Sequence, residues 1–350
     1  MWLREFSRHL HFEVTGFLWN QWGSLGISGA TATRTDKLVD PEALLVLTWT
    51  LGRASPRLFD AVYSWCFHRE RDIDFKRLKH CLKDADSETR SVASAWAESL
   101  VGDGAKQWTS IRQLSSYRGE ARPLFLDPTG FPQPVLNTRD PVFEKHGWLR
   151  GRLSEKAPLR DTDLRQAAMT RILLRRLVGS GVRTEVLTYA LFNDTATTRR
   201  LARLTGYSQR SIQTFLADLQ SLKMVSWVRT RGVSEPVRFK VRPIQEFIAR
   251  ISSDHAGKSH VLGDVRWFDM LNLARSIPDA WNVARQSLNV SSESGQHQIM
   301  WELATILSAL GDTEPFETTV REREYSHWTL DELRLHLSEL IAIAFDGADE

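Results

Sequence analysis

Apolar residues recur at helical spacing over most of the chain, and this pattern predicts a mainly α-helical protein. In the N-terminal third, Asp40-Pro41 and Ser55-Pro56 each place a capping residue before a proline, which is typical of helix starts. Two more helices are predicted over 74–83 and 87–100. In the last hundred residues the same spacing predicts three helices, over 265–277, 298–310 and 330–345.

The periodicity stops between residues 119 and 160. Five prolines and three glycines from residue 119 to residue 147 exclude a long helix, but the interspersed apolar residues are too many for a free tether. We therefore expect a packed strap or short strands. An amphipathic helix is then predicted over 163–178. Its pattern assigns Leu164, Ala168, Ile172, Leu173 and Leu177 to a core, and Arg165, Arg171, Arg175 and Arg176 to the solvent side.

The stretch 184–242 predicts a compact unit of its own. Three helical runs, 184–192, 197–205 and 208–222, are followed by two β-type runs over 225–230 and 236–241. The break Gly206-Tyr207 separates the second and third helices, and Ser208 stands where a helix needs its N-cap. In the third helix one stripe is apolar: Ile212, Phe215, Leu216, Leu219 and Leu222.

The run from Leu201 to Ile212, Leu-Ala-Arg-Leu-Thr-Gly-Tyr-Ser-Gln-Arg-Ser-Ile, with Leu219, Leu222 and Val225 behind it, resembles the winged helix-turn-helix transcriptional regulators. On the same motif, the chain also resembles winged-helix antitoxins and regulators of bacterial defence operons. The resemblance covers residues 184–242 of the 350. It implies a central winged helix-turn-helix with a small β-hairpin wing, a recognition helix for the major groove, and double-stranded DNA as the partner.

The candidate DNA-binding residues lie on the second and third helices of this stretch and on the wing. The helix facing the major groove needs donors and acceptors near its N-terminus, and the wing needs positive charge for phosphates. The predicted set is Thr198, Arg199, Arg200, Tyr207, Ser208, Gln209, Arg210, Ser211, Gln213, Thr214, Arg229, Arg231 and Arg238.

The distribution of charge agrees with this assignment better than the total charge does. The whole chain carries only +3. Residues 149–250 hold 20 Lys and Arg against 8 Asp and Glu, a net of +12, whereas residues 251–350 hold 7 against 17, a net of −10. Positive charge is therefore concentrated on the segment with the helix-turn-helix pattern, as phosphate binding requires.

Motifs for catalysis or metal binding are weak. Ala256-Gly-Lys-Ser259 has the end of a phosphate loop but lacks its first glycine. The group Cys66, His68, His80 and Cys81 fits no common zinc spacing, and both cysteines lie on apolar stripes, so buried structural roles explain them better. The pair Asp72 and Asp74 sits where helix caps are expected. We expect no catalytic residue, no metal, no cofactor and no enzymatic activity.

The chain is long enough for several domains, and we expect four segments. They are a helical N-terminal lobe over 1–118, the strap over 119–160, the winged helix-turn-helix over 161–250 and an acidic helical lobe over 251–350. The thirteen tryptophans are most simply core residues, although a Trp-lined ligand cleft is an alternative. No run is apolar enough to span a membrane, and no signal peptide is recognisable, so we expect a cytoplasmic protein.

The sequence thus predicts a sequence-specific DNA-binding transcriptional regulator, with repression as the expected mode. Its flanking lobes would dimerise the protein or sense a signal, and the acidic C-terminal lobe could instead mask the basic segment. Two alternatives stay open. One is a scaffold or antitoxin-like protein that uses the winged helix to hold a protein partner. The other is a nucleic-acid enzyme with a divergent active site in the N-terminal lobe.

Overall fold

The computed structural model is mainly helical. It describes most of the chain up to residue 228, and two shorter ranges and a few single positions beyond it. The described residues are 2–29, 38–115, 120–127, 131–135, 138–152, 159–164, 166–193, 195–228, 238–240 and 292–308, with single positions between 277 and 283 and at 332 and 335.

Five helices form the N-terminal part of the protein: α1 (Trp2–Ser24), α2 (Pro41–Thr50), α3 (Pro56–His68), α4 (Phe75–Lys83) and α5 (Ser87–Gly102). The expected caps explain two of their starts. The carboxylate of Asp40 accepts a hydrogen bond from the amide of Ala43, and that of Asp74 accepts from the amides of Lys76 and Arg77. Helix α3 begins at Pro56 as predicted, but Ser55 makes no capping bond through its side chain. The helix starts predicted in this region are confirmed.

Tryptophans fill the centre of this helical core. Trp22, Trp49, Trp65, Trp96, Trp108 and Trp148 are all fully buried. The rings of Trp22 and Trp65 meet edge to face with centroids 5.1 Å apart, a geometry that the aromatic quadrupole favours. The indole N–H of Trp22 donates to Thr48 Oγ1 at 2.9 Å, and that of Trp65 donates to the carbonyl of Leu25 at 2.9 Å. The core interpretation is confirmed for these six residues.

The proline-rich stretch is a packed strap. Its short strands β1 (Arg122–Pro123) and β2 (Trp148–Leu149) pair in parallel, and α6 (Pro141–Lys145) lies between them in sequence. Leu124, Phe143 and Trp148 are buried in the N-terminal core. The expectation of a packed strap with short strands is therefore confirmed.

The helix predicted over 163–178 is wrong in its start and in its orientation. A 3-10 turn, Ala167–Met169, precedes α7, which spans Thr170–Val178. Arg171 and Arg175, expected on the solvent side, are buried, whereas Leu177, expected in the core, is 54% exposed. Buried carboxylates from other helices turn this face of α7 inwards.

Residues 182–228 and 238–240 form what we call the three-helix module. Its helices are α8 (Val182–Phe192), α9 (Thr198–Thr205) and α10 (Gln209–Ser221). Strands β3 (Thr195–Ala196), β4 (Ser226–Val228) and β5 (Arg238–Lys240) form an antiparallel sheet in the order β3-β5-β4. Strands β4 and β5 lie within the two predicted β-type runs, whose other residues are mostly outside the described part of the chain, and β3 was not predicted. The module has a hydrophobic core of its own, separate from the N-terminal one.

The described part of the C-terminal segment packs on the N-terminal core. Helix α11 spans Glu293–Ser308, where the sequence predicted a helix over 298–310. Its residues Ile299, Met300 and Leu303 join the same hydrophobic cluster as the N-terminal helices. The predicted helices over 265–277 and 330–345 lie outside the described residues apart from isolated positions, and so does the stretch from Ala256 to Ser259.

Candidate nucleic-acid interface

The turn between α9 and α10 is built by three local interactions. The hydroxyl of Thr197 accepts from the amide of Arg200 at 3.1 Å and caps α9. Gly206 ends α9 in the left-handed region, at φ 75°, where its amide donates to the carbonyl of Ala202. The hydroxyl of Ser208 then accepts from the amide of Ser211 at 3.2 Å and starts α10. These residue types therefore fix both helix ends and the direction of the second helix.

Helix α10 has one buried face and one exposed polar face. Ile212, Phe215, Leu216 and Leu219 are buried in the core of the module. Leu222, predicted on the same stripe, lies just past the end of α10 as its C-cap and is 67% exposed, so that part of the prediction is wrong. Because the spacing of these four residues is helical, the remaining residues turn outwards, and the first two turns of that outer face carry hydrogen-bonding side chains. The only acid of α10 is Asp218, about two turns beyond Arg210.

Most of the predicted DNA-binding residues are accessible. Exposed are Arg199, Ser208, Gln209, Arg210, Gln213 and Thr214, and half-buried are Thr198, Arg200 and Ser211. Of the three residues predicted on the wing, Arg238 belongs to β5 but its side chain is not among the described ones, and Arg229 and Arg231 lie outside the described residues. The exposed residues lie on both sides of the turn between α9 and α10, one on α9 and the others at the start of α10.

Tyr207 is placed differently from the rest of the set. Its side chain is buried, and its hydroxyl donates to Asp74 Oδ2 at 2.6 Å. Burial raises the pKa of Tyr207, and the bond to Asp74 raises it further. The ammonium of Lys76 lies 4.4 Å from the centre of its ring. Tyr207 therefore attaches the turn to the N-terminal helices, and its hydroxyl is not available to a phosphate.

Further contacts hold the same turn against α4. The guanidinium of Arg77 donates from Nη1 to the carbonyl of Leu204 at 2.7 Å. The ring of His80 donates from Nε2 to the carbonyl of Arg203 at 3.2 Å. A Cβ atom at Gly206 would lie only 2.4 Å from His80 Cγ, so only a glycine allows this approach. The end of α9 and the turn are thus positioned by the N-terminal lobe, a contact that the sequence analysis missed.

A buried ion network lies behind this contact. It consists of three carboxylates and three guanidinium groups, all almost inaccessible to solvent: Asp40, Glu42, Glu185, Arg77, Arg171 and Arg175. Arg175 holds Glu42 with two bonds, of 2.7 and 2.8 Å, and reaches Glu185 at 3.1 Å. The network therefore joins α2 and α4 of the N-terminal lobe to α7 and α8.

The charges of the network stabilise one another. Burial alone would raise the pKa of Asp40, but Arg171 and Arg77 outweigh it and hold that pKa well below its usual range. Burial would likewise lower the pKa of Arg175, but Glu42 and Glu185 raise it. Burial raises the pKa of Glu42. Glu42 nevertheless accepts two bonds from Arg175 and one from the amide of Asp74 at 2.8 Å, and these three bonds favour its ionised form.

The candidate metal and catalytic residues have structural positions. Cys66 and Cys81 are buried in the N-terminal core, as their apolar stripes indicated, and burial raises the pKa of the Cys66 thiol. Asp74 caps α4 as expected, and Asp72 pairs with Arg176 at 2.9 Å. Among the described residues, no cluster of three or more His, Cys, Asp or Glu side chains has a metal-binding arrangement.

Within the part of the chain that the structure describes, no helix combines the length and the apolar character needed to cross a membrane. No protein-family model, no curated protein and no solved structure matches this chain.

Proposed function

We propose that this protein binds double-stranded DNA through a winged helix-turn-helix and regulates transcription. In this proposal α9 and α10 are the helix-turn-helix, α10 is the recognition helix, and the β4–β5 hairpin is the wing. The order of three helices and a three-stranded antiparallel sheet supports the assignment. A helix of this kind enters the major groove with its N-terminal residues against the base edges.

One observation supports the proposal most: α10 buries its apolar stripe in its own module and leaves a polar face exposed at its N-terminal end. Ser208, Arg210 and Gln213 on that face supply a hydroxyl, a guanidinium and an amide. Arginine and glutamine are the side chains that pair bidentately with guanine and adenine in the major groove. The preceding helix adds the exposed Arg199 and Arg203, where a helix that crosses the backbone needs positive charge.

Replacing Arg210 by alanine tests base reading. We expect Arg210→Ala to weaken binding to a preferred duplex by about 1 to 3 kcal/mol and to relax the base preference at one position. The duplex would come from sequencing genomic fragments retained by the protein. Binding of the variant to that duplex and to its single-position substitutions, measured at one salt concentration, gives the preference.

The matched control is Arg183→Ala. Arg183 is exposed near the start of α8, so this variant loses the same charge away from α10. We expect it to keep the base preference at every position. If Arg210→Ala folds correctly and keeps the full base preference, α10 does not read the sequence. If the wild-type protein retains no duplex even at low salt, DNA binding itself is excluded.

The wing should contribute charge without base preference. We expect Arg231→Ala to weaken binding to all sequences alike and to lower the slope of log K against log salt by about one unit. This prediction rests on the sequence, because Arg231 lies outside the described residues. Salt titrations with a preferred and a scrambled duplex measure both quantities. A change in the preferred sequence would mean that the wing reads a groove.

A further inference from the structure

An open groove with a positively charged lining lies beside the turn that precedes α10. Its volume is about 440 Å³, and Gly206 of the turn forms part of its wall. Five side chains with basic nitrogen atoms line it, four from α4 and one from α5: Lys76, Lys79, His80, Lys83 and Arg90. No acidic side chain is among its lining residues.

The lysines of the groove form one stripe on α4. Lys76, Lys79 and Lys83 are three and four residues apart, so they lie on the same face of the helix, and all three are exposed. None of them, nor Arg90, lies within ion-pair distance of a carboxylate among the described residues. Like charges on one stripe repel each other, and an anionic ligand would relieve this repulsion.

The position of the stripe relative to α10 is fixed by the contacts of the turn. Tyr207 is bonded to Asp74 at the start of α4, and its ring lies under Lys76. His80 is bonded to the carbonyl of Arg203. Side chains of α4 and of the turn thus hold α4 beside the start of α10. The lysine stripe therefore keeps a fixed position relative to α10.

The length of the stripe suits a polyanion that is extended along α4. Lys76 and Lys83 are seven residues apart, which corresponds to about 10 Å along a helix. Phosphates of one DNA strand recur about every 3.4 Å along the duplex axis, so this distance covers about three of them. The exposed Arg199 and Arg203 of α9 extend the positive surface on the other side of the turn.

We infer that the groove binds the phosphate backbone of the duplex that α10 reads, so that the N-terminal lobe is part of the DNA-binding surface. The inference rests on the proposed function, since it takes the same duplex as the ligand. Lys79, Lys83 and Arg90 contact phosphates and carry no base preference, while Lys76 also holds the ring of Tyr207. The lobe thereby lengthens the contact with DNA on the side of the recognition helix that faces α4.

The test is a salt titration of the double variant Lys79→Gln with Lys83→Gln. These two lysines are chosen because they are exposed and take no part in the contacts that hold the turn. Each phosphate contact contributes about 0.9 to the slope of log K against log salt, so two contacts contribute about 1.8. Raising the salt from about 50 to about 200 mM should therefore weaken the wild-type protein about twelvefold more than the variant.

The matched control is Arg139→Gln with Lys145→Gln, which removes two charges at α6. Both residues are exposed and already paired, Arg139 with Glu144 at 3.3 Å and Lys145 with Glu98 at 2.6 Å. We expect this control to keep the salt slope of the wild-type protein. Both double variants should keep the base preference, and hydroxyl-radical footprinting should show a shorter protected backbone on one side of the site only for the lysine variant.

Each outcome is decisive. If the wild-type protein binds DNA and the lysine variant keeps its slope and footprint, the groove proposal is overturned while the proposed function stands. If the wild-type protein binds no duplex at any salt concentration, both are overturned. A last experiment measures the binding of pyrophosphate to the wild-type protein and to the lysine variant by calorimetry. Tight binding that the lysine variant loses, with an unchanged slope for DNA, would assign the groove to a small phosphate ligand and overturn the inference.

Discussion

The variant Arg175→Met should lose about 3 to 5 kcal/mol of unfolding free energy, which is the usual cost of removing one partner from a buried ion pair. Arg175 is 4% exposed and binds both oxygens of Glu42, which is fully buried, and one oxygen of Glu185. The methionine fills part of the space, but it leaves the buried negative charges of Glu42 and Glu185 with one positive partner fewer. The loss of unfolding free energy therefore reports the cost of burying an unpaired charge, and not the net contribution of the whole network to stability.

The neighbouring Arg176 provides the control. It pairs with Asp72 at 2.9 Å, but its side chain is 41% exposed, and Asp72 keeps a second partner in Arg69 at 3.6 Å. We therefore expect Arg176→Met to cost about 1 kcal/mol or less, as exposed pairs do. Urea denaturation of both variants and the wild-type protein gives the comparison. If the two variants lost the same unfolding free energy, the contribution of these ion pairs to stability would not depend on their burial.

The local parts of the fold could be predicted because they depend on neighbouring residues. Asp40 before Pro41 caps α2, Asp74 caps α4, and Ser208 after Gly206 starts α10. Each of these signals acts within about one helical turn, so a single sequence contains all of it. Four of the five residues on the predicted apolar stripe of α10 were likewise visible, because the module buries them against its own helices.

The orientation of α7 could not be predicted in the same way. Arg171 and Arg175 have the spacing of a solvent-exposed face, and the periodicity of one helix gives no reason to bury them. Glu42, the partner of Arg175, stands 133 residues before it, directly after Pro41, where an acid in the first turn of a helix is ordinary. The buried ion network forms only where α2, α4, α7 and α8 meet, whereas Glu42 and Arg175 are each ordinary residues for their positions in their own helices.

The role of Tyr207 was missed for a related reason. Its place in the turn indicated a residue near the DNA backbone, but the hydroxyl is bonded to Asp74 of the N-terminal lobe. The spacing of Lys76, Lys79 and Lys83 indicates a lysine stripe on α4. The net charge of residues 1–148 does not show it, because acidic residues elsewhere in this range nearly cancel the basic ones. The contact between turn and lobe is long-range, and no local pattern predicts it.

Gly206 is the residue at which this contact is most sensitive to substitution. The change Gly206→Ala should destabilise the protein by about 2 to 5 kcal/mol, the sum of two costs. An L residue in the left-handed region costs about 1 to 2 kcal/mol. The added methyl would also lie 2.4 Å from His80 Cγ and 2.5 Å from His80 Cβ, and crowding in a packed site costs about 1 to 3 kcal/mol.

A double-variant cycle separates the two costs. Replacing His80 by glycine removes the atoms that the new methyl would meet but leaves the backbone of residue 206 at φ 75°. The penalty for Gly206→Ala should therefore fall to about 1 to 2 kcal/mol when His80→Gly is the reference protein. Chemical denaturation of the four proteins gives the coupling free energy directly. A penalty that is the same in both backgrounds would mean that the turn does not press against α4, and the fixed position of the lysine stripe beside α10 would then lose its physical basis.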